Sequence, residues 1–196
     1  MELRSLHAIA FDRHLYEPLI YVGDDLVEVK PVVLENEGER DFMLDLQKFC
    51  ESSDDKEFLK GKELYLLRNL SRGRGIGFFK AGNFYPDFIL WLPDGDRQCV
   101  SFIGPKGLRN LEGPDDPKIQ FHQTIKELEL QLNDPAVVLN SFILSSTPLY
   151  QVKWWNGGMA KEDFEARNVL FQREDHATYI KKLLEKCLQG NTASDN

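Results

Sequence analysis

The sequence predicts an α/β domain with a central mixed sheet flanked by helices. Two amphipathic stretches of helical period alternate with short apolar runs of strand character, and a Pro-Asp-Gly-Asp segment joins two of those runs into a hairpin. The 196 residues suit one domain with a substantial core, taken as 1–188, with a small, polar, aperiodic tail at 189–196.

Asn36 followed by Glu39 resembles a capping box, and Phe42, Leu46 and Phe49 repeat at helical spacing, which predicts a helix from about Glu37 to Cys50. Glu63 to Arg68 reads as a short apolar strand. After the glycine-rich SRGRGIG segment, Pro86 to Trp91 is a second strand and Gln98 to Ile103 a third, with Pro93-Asp94-Gly95-Asp96 as the reversal between them. Phe121, Ile125, Leu128 and Leu132 line one face of a helix from Lys118 to Leu132, which Asn133-Asp134-Pro135 ends before the apolar strand Ala136 to Leu144. The core order is therefore helix, three strands, helix, strand. Outside it, Leu19 to Val22 and Leu26 to Leu34 suggest an N-terminal hairpin. Leu149 to Trp154 and Asn168 to Phe171 look like strands, and Tyr179 to Leu188 like a helix.

Composition narrows the class. Hydrophobic residues make up 42% and charged residues 29%, a globular balance. No apolar run approaches the roughly 20 residues of a membrane helix. Met1 to Phe11 carries Glu2, Arg4 and His7 among its apolar residues, so a cytoplasmic location is expected and no membrane partner. Cys50, Cys99 and Cys187 are odd in number and widely spaced, which points to reduced thiols. The net charge of −8 excludes broad attraction to a phosphate backbone, so any nucleic-acid contact is local.

The hairpin carries the chemistry. A turn centred between Asp94 and Gly95 pairs residues whose numbers sum to about 189, so Asp87 faces roughly Phe102 and shares its face with positions 104 and 106. Position 104 then lies on the order of 7 Å from Asp87 along the backbone, and Asp87 and Lys106 converge.

The segments FYPDFILW (residues 84–91) and VSFIGPKG (residues 100–107) resemble the two halves of a PD-(D/E)xK nuclease motif. The resemblance is to the nuclease domains at the C-terminal end of helicase-containing restriction and defence proteins. It extends over HLYEPL, NEGERDF, LYLLRN, GIGFF and LNSFILSST, most of the chain. It implies a restriction-endonuclease-like core, α-β-β-β-α-β, and magnesium- or manganese-dependent hydrolysis of DNA alongside a helicase or ATPase domain or subunit. The family's site falls here on Glu39, Asp87, Gly104 and Lys106: Asp87 the anchoring metal ligand, Glu39 an outer one, and Lys106 the cation that orients water or stabilises charge on phosphorus oxygens. Gly104 breaks the pattern, since a carboxylate is expected there and glycine offers only its backbone carbonyl. Metal binding is therefore expected to be weak and hydrolysis reduced or absent. Asp94 and Asp96 sit in the distant turn and cannot substitute. The alternative is an inactive nuclease fold kept for DNA binding or helicase docking.

Simpler roles stand beside these. Glu39 is explained equally by its cap, Asp87 by a turn hydrogen bond, and Lys106 by solvation. Arg68, Arg72 and Arg74, interleaved with glycines, fit a phosphate contact or a charged loop. His14 has no partner set for catalysis, His122 borders the apolar stripe of its helix, and Gln123 is a candidate accessory on the neighbouring face. Trp154 and Trp155 fit packing better than base stacking or docking.

Overall fold

The structure, a computed structural model, describes residues 36–52, 58–69, 76–78, 82–152, 157–176 and 178–189, and the strand backbone at 15–16, 21–23 and 26–28. Among them the order runs β1 (Leu15–Tyr16), β2 (Tyr21–Gly23), β3 (Leu26–Glu28), α1 (Glu37–Glu51), β4 (Tyr65–Arg68), β5 (Phe88–Asp94) and β6 (Arg97–Lys106). It continues with α2 (Pro117–Leu132), β7 (Val137–Ser145), α3 (Leu149–Val152), α4 (Lys161–Ala166), β8 (Val169–Phe171) and α5 (Tyr179–Gln189). One sheet has the order β1-β4-β5-β6-β7-β8, and β2 and β3 form a separate antiparallel pair.

The sheet is mixed. β4 with β5 and β5 with β6 are antiparallel pairs, the second joined by a two-residue turn, whereas β6 to β7 crosses over through α2 and pairs in parallel. β7 with β8 and β1 with β4 are parallel too. The edge strand β1 carries no alternating pattern long enough to read in the sequence.

The helices start where their caps direct. The Asn36 side chain accepts the Glu39 amide at 3.0 Å, and Glu37 and Glu39 lie in the first turn, where the helix dipole favours negative charge. Asp116 caps α2 by accepting from the Lys118 amide at 2.9 Å, with Pro117 at the first helical position. Asn133, in the left-handed region at φ 50°, ends that helix.

Two layers bury the sheet. On one face Phe42, Leu46 and Phe49 of α1 and Ile180, Leu183 and Leu184 of α5 close over Phe88, Leu90, Cys99, Ile103 and Phe142. On the other, Phe121 and Ile125 of α2 cover Phe84, Ile89 and Phe102. The Tyr179 hydroxyl donates to Asp45 at 2.9 Å, tying α5 to α1. All three cysteines are free and buried, as the spacing indicates.

Three expectations need correction. Leu149 to Val152 is a helical turn, not the start of a strand. Pro148 precedes that stretch and Gly157 and Gly158 follow it, but its single short apolar run holds too little periodicity to separate the two states. Of the expected strand Leu26–Leu34, β3 covers Leu26–Glu28 and positions 29–34 lie outside the described residues. The third core strand runs three residues beyond Ile103, to Lys106. Finally, the hairpin turn holds two residues, Gly95 at φ 60° followed by Asp96, so Asp94 pairs with Arg97 and paired numbers sum to 191.

Candidate functional site

The register correction matters most at the far end of the hairpin. Phe88 pairs with Ile103, and the Asp87 amide donates to the Ile103 carbonyl at 2.9 Å. Asp87 thus enters the sheet across from Ile103 and Gly104, nearer to position 104 than the expected offset. Pro86 and Asp87 are fixed from the β4 side. Buried Asn69 donates to the carbonyls of Ile76 and Pro86, each at 2.8 Å, and accepts the Ile76 amide at 3.0 Å, while its own amide donates to the Asp87 carbonyl at 2.9 Å.

Glu39 reaches the same place from the first turn of α1. Its side chain is 1% exposed, Oε1 accepts from the Asn36 side-chain amide at 2.8 Å, and Oε2 lies 3.0 Å from Arg68 Nη2. Its capping partner and its ion-pair partner thus each take one oxygen. Arg68, at the end of β4 and 14% exposed, turns its other nitrogen to Asp87: Nη1 donates to the carbonyl at 3.1 Å and lies 3.9 Å from Oδ1. The guanidinium carbon stands 4.9 Å from the Phe88 ring centre. Arg68, which the sequence offers as a phosphate contact or a loop charge, turns its side chain to two carboxylates; Arg72 and Arg74 lie outside the described residues, as do His14, Trp154 and Trp155.

Lys106 lies on the α2 face of the sheet, the face of Phe84 and Phe102 and opposite to α1. Its ammonium sits over the Phe84 ring, 4.4 Å from the centre. Burial lowers its pKa from 10.5 to about 8, against the opposing pull of the Asp87 charge. A Cβ at position 104 would meet Lys106 Cε at 2.8 Å, Phe84 Cε2 at 3.0 Å and Lys106 Nζ at 3.2 Å. The lysine tail therefore fills the space where a carboxylate side chain at 104 would stand. No positive φ requires glycine there; a Cβ would push aside the flexible end of Lys106 and press on the Phe84 ring.

These donors do not fit a divalent cation. Both oxygens of Glu39 are engaged, a guanidinium already lies between Glu39 and Asp87, and position 104 contributes a carbonyl beside an ammonium. Among the described residues no group of three or more His, Cys, Asp or Glu is arranged to hold a metal. Gln123 is exposed, half a turn from Phe121 and Ile125, which face the sheet, so it is directed away from Asp87. His122 is half-buried with Nδ1 2.7 Å from the Ile119 carbonyl, an edge-packing role.

Sequence reasoning places Asp87, Gly104, Lys106 and Glu39 at one end of the sheet, and the structure brings them there. It misses Asn69, Phe84 and the inward turn of Arg68. The one available signal is alternation in β4: Leu66 and Arg68 share a face, and Leu66 is fully buried. No helix among the described residues is long and apolar enough to cross a membrane. No family model, curated protein or solved structure matches the chain.

Proposed function

We propose that this chain is a nuclease-like domain of the PD-(D/E)xK kind that no longer hydrolyses DNA and is retained to engage DNA in a cytoplasmic restriction or defence assembly with a helicase partner. The observation that carries this reading is the junction of β5 and β6: Asp87 enters the sheet beside a glycine at position 104, and the Lys106 side chain occupies the space an acidic ligand would need. The core order of helix, three strands, helix and strand supports the same ancestry. Loss of one hard anionic ligand removes the charge that would hold magnesium and lower the pKa of an attacking water, so no metal-dependent step is assigned to the wild-type site.

A second reading, docking of a helicase or ATPase partner, is favoured by one strip of the sheet. Tyr65 and Trp91 are paired across β4 and β5 with ring centres 5.2 Å apart, and Trp91 and Leu67 are 39% and 45% exposed on that face.

Both follow from one experiment. Plasmid and single-stranded DNA are incubated with the wild-type chain in magnesium or manganese, and binding is followed by anisotropy across salt. Intact DNA with salt-sensitive binding is expected. Cutting that Asp87→Ala abolishes would overturn the loss of hydrolysis. Intact DNA without binding would move the assignment to docking.

A further inference from the structure

Outside the site of Asp87 and Lys106, α1 and the connection from β8 to α5 bring together an acid, a phenol and an imidazole. Asp45 of α1 is 7% exposed, and its Oδ2 accepts the Tyr179 hydroxyl at 2.9 Å. Burial and the Asp45 charge push the Tyr179 hydroxyl above its ordinary range, so it stays a donor and fixes the carboxylate. The same Oδ2 lies 3.3 Å from His176 Nδ1, and Lys48 Nζ lies 3.8 Å from Oδ1. A carboxylate beside Nδ1 favours the ring proton there and leaves the lone pair on Nε2. The His176 side chain is 65% exposed, and no described residue hydrogen-bonds its Nε2. Packing accounts for Tyr179 and Asp45, but not for an imidazole directed by a buried carboxylate with its other nitrogen left to solvent. The surrounding charge suits an anionic reactant. α5 begins at Tyr179, so the positive end of its dipole adjoins His176 in the chain, and the Lys48 ammonium stands at the same carboxylate.

We propose that His176, oriented by Asp45, is a phosphoryl-accepting site that takes a phosphoryl group on Nε2 from a donor with a phosphorus–nitrogen bond. One such bond replaces another. The Nε2 lone pair attacks phosphorus, the bond from phosphorus to the protonated amine of the donor breaks, and the amine leaves with that electron pair. Nδ1 keeps its proton, and Asp45 faces the positive charge left on the ring. His176 is thus the nucleophile and Asp45 a positioning residue. Neither belongs to the nuclease-like site, so the proposal stands apart from that reading.

The test treats the full chain with phosphoramidate. Attachment is followed by intact mass and located by fragmentation, and the phosphorus resonance distinguishes Nε2 from Nδ1. The sequence holds His7, His14, His122 and His176, so three histidines serve as internal references. His176 is expected to label on Nε2 at least about tenfold faster in the folded chain than in the same chain in urea, because only the folded chain holds a carboxylate at Nδ1. His176→Gln is expected to remove the fast phase, and Asp45→Asn to slow it toward the rate in urea. Should Asp45→Asn fail to fold, the comparison of folded and urea-treated wild type still decides. A His176 that labels no faster folded than in urea, a fast phase shared equally by the four histidines, attachment at Nδ1, or a folded Asp45→Asn chain that labels at the wild-type rate overturns the proposal.

Discussion

Glu39→Gln is expected to destabilise the fold by about 3–5 kcal/mol, because removing one member of a buried ion pair leaves the other charge without compensation. The geometry sets the size. Glu39 is 1% exposed and Arg68 14%, so water cannot replace the lost carboxylate on the Arg68 side chain. The Asp87 oxygen at 3.9 Å and its carbonyl at 3.1 Å remain, which places the expectation toward the lower end of the range. The amide also keeps an oxygen for the Asn36 side chain, so the helix cap survives and the loss reports the ion pair. Since domains of this kind are stable by only about 5–15 kcal/mol, the variant should unfold at distinctly lower urea concentration. Adding Arg68→Met should return part of the loss, as the unpaired cation is then absent as well. A Glu39→Gln chain within about 1 kcal/mol of wild type would mean the pair is not desolvated.

Lys106→Met is expected to do the opposite and stabilise the chain at pH 7. A lysine held near pKa 8 by burial, when its ordinary value is 10.5, costs about 3 kcal/mol in the folded state while it stays protonated. The sign follows from proton counts. Below pH 8 both folded and unfolded chains carry the ammonium, and the full cost is present. Between about 8 and 10.5 the unfolded chain holds the proton and the folded chain has released it, so wild-type stability rises with pH. Above 10.5 both are neutral and the cost is gone. The advantage of Lys106→Met, measured as the difference in urea unfolding free energy, should therefore shrink steadily across that window. The cation over the Phe84 ring offsets some of the burial cost, so about 3 kcal/mol is an upper value. An advantage independent of pH would show that packing, not charge, separates the two chains.

Much of this architecture is legible in the residues. Asn36 and Glu39 announce the start of α1, Pro117 and Asn133-Asp134-Pro135 bracket α2, and alternation from Gln98 onward marks β6. The hairpin register is not so legible, because it depends on which residue takes the positive φ; Gly95 takes it and moves every pair by two from the expected sum. A shift of two preserves which face a side chain points from, which is why Asp87, Gly104 and Lys106 still gather at one end of the sheet. Arg68 is harder. In the sequence it belongs to a basic run with Arg72 and Arg74, and its alternation with Leu66 in β4 hints at an inward side chain without naming Glu39, 29 residues earlier, as its partner. The Lys106 tail over Phe84 and position 104 depends likewise on packing between elements distant in the chain.

The proposal that Arg68 and Lys106 close a nuclease-like site is tested most directly by plasmid nicking in manganese with the double variant Gly104→Asp/Arg68→Met. Aspartate at 104 displaces the flexible end of Lys106, and loss of the guanidinium removes the cation held between Glu39 and Asp87. Manganese-dependent nicking that a further Asp87→Ala change abolishes is the expected result. A folded double variant that leaves the plasmid intact would contradict the nuclease ancestry of the site.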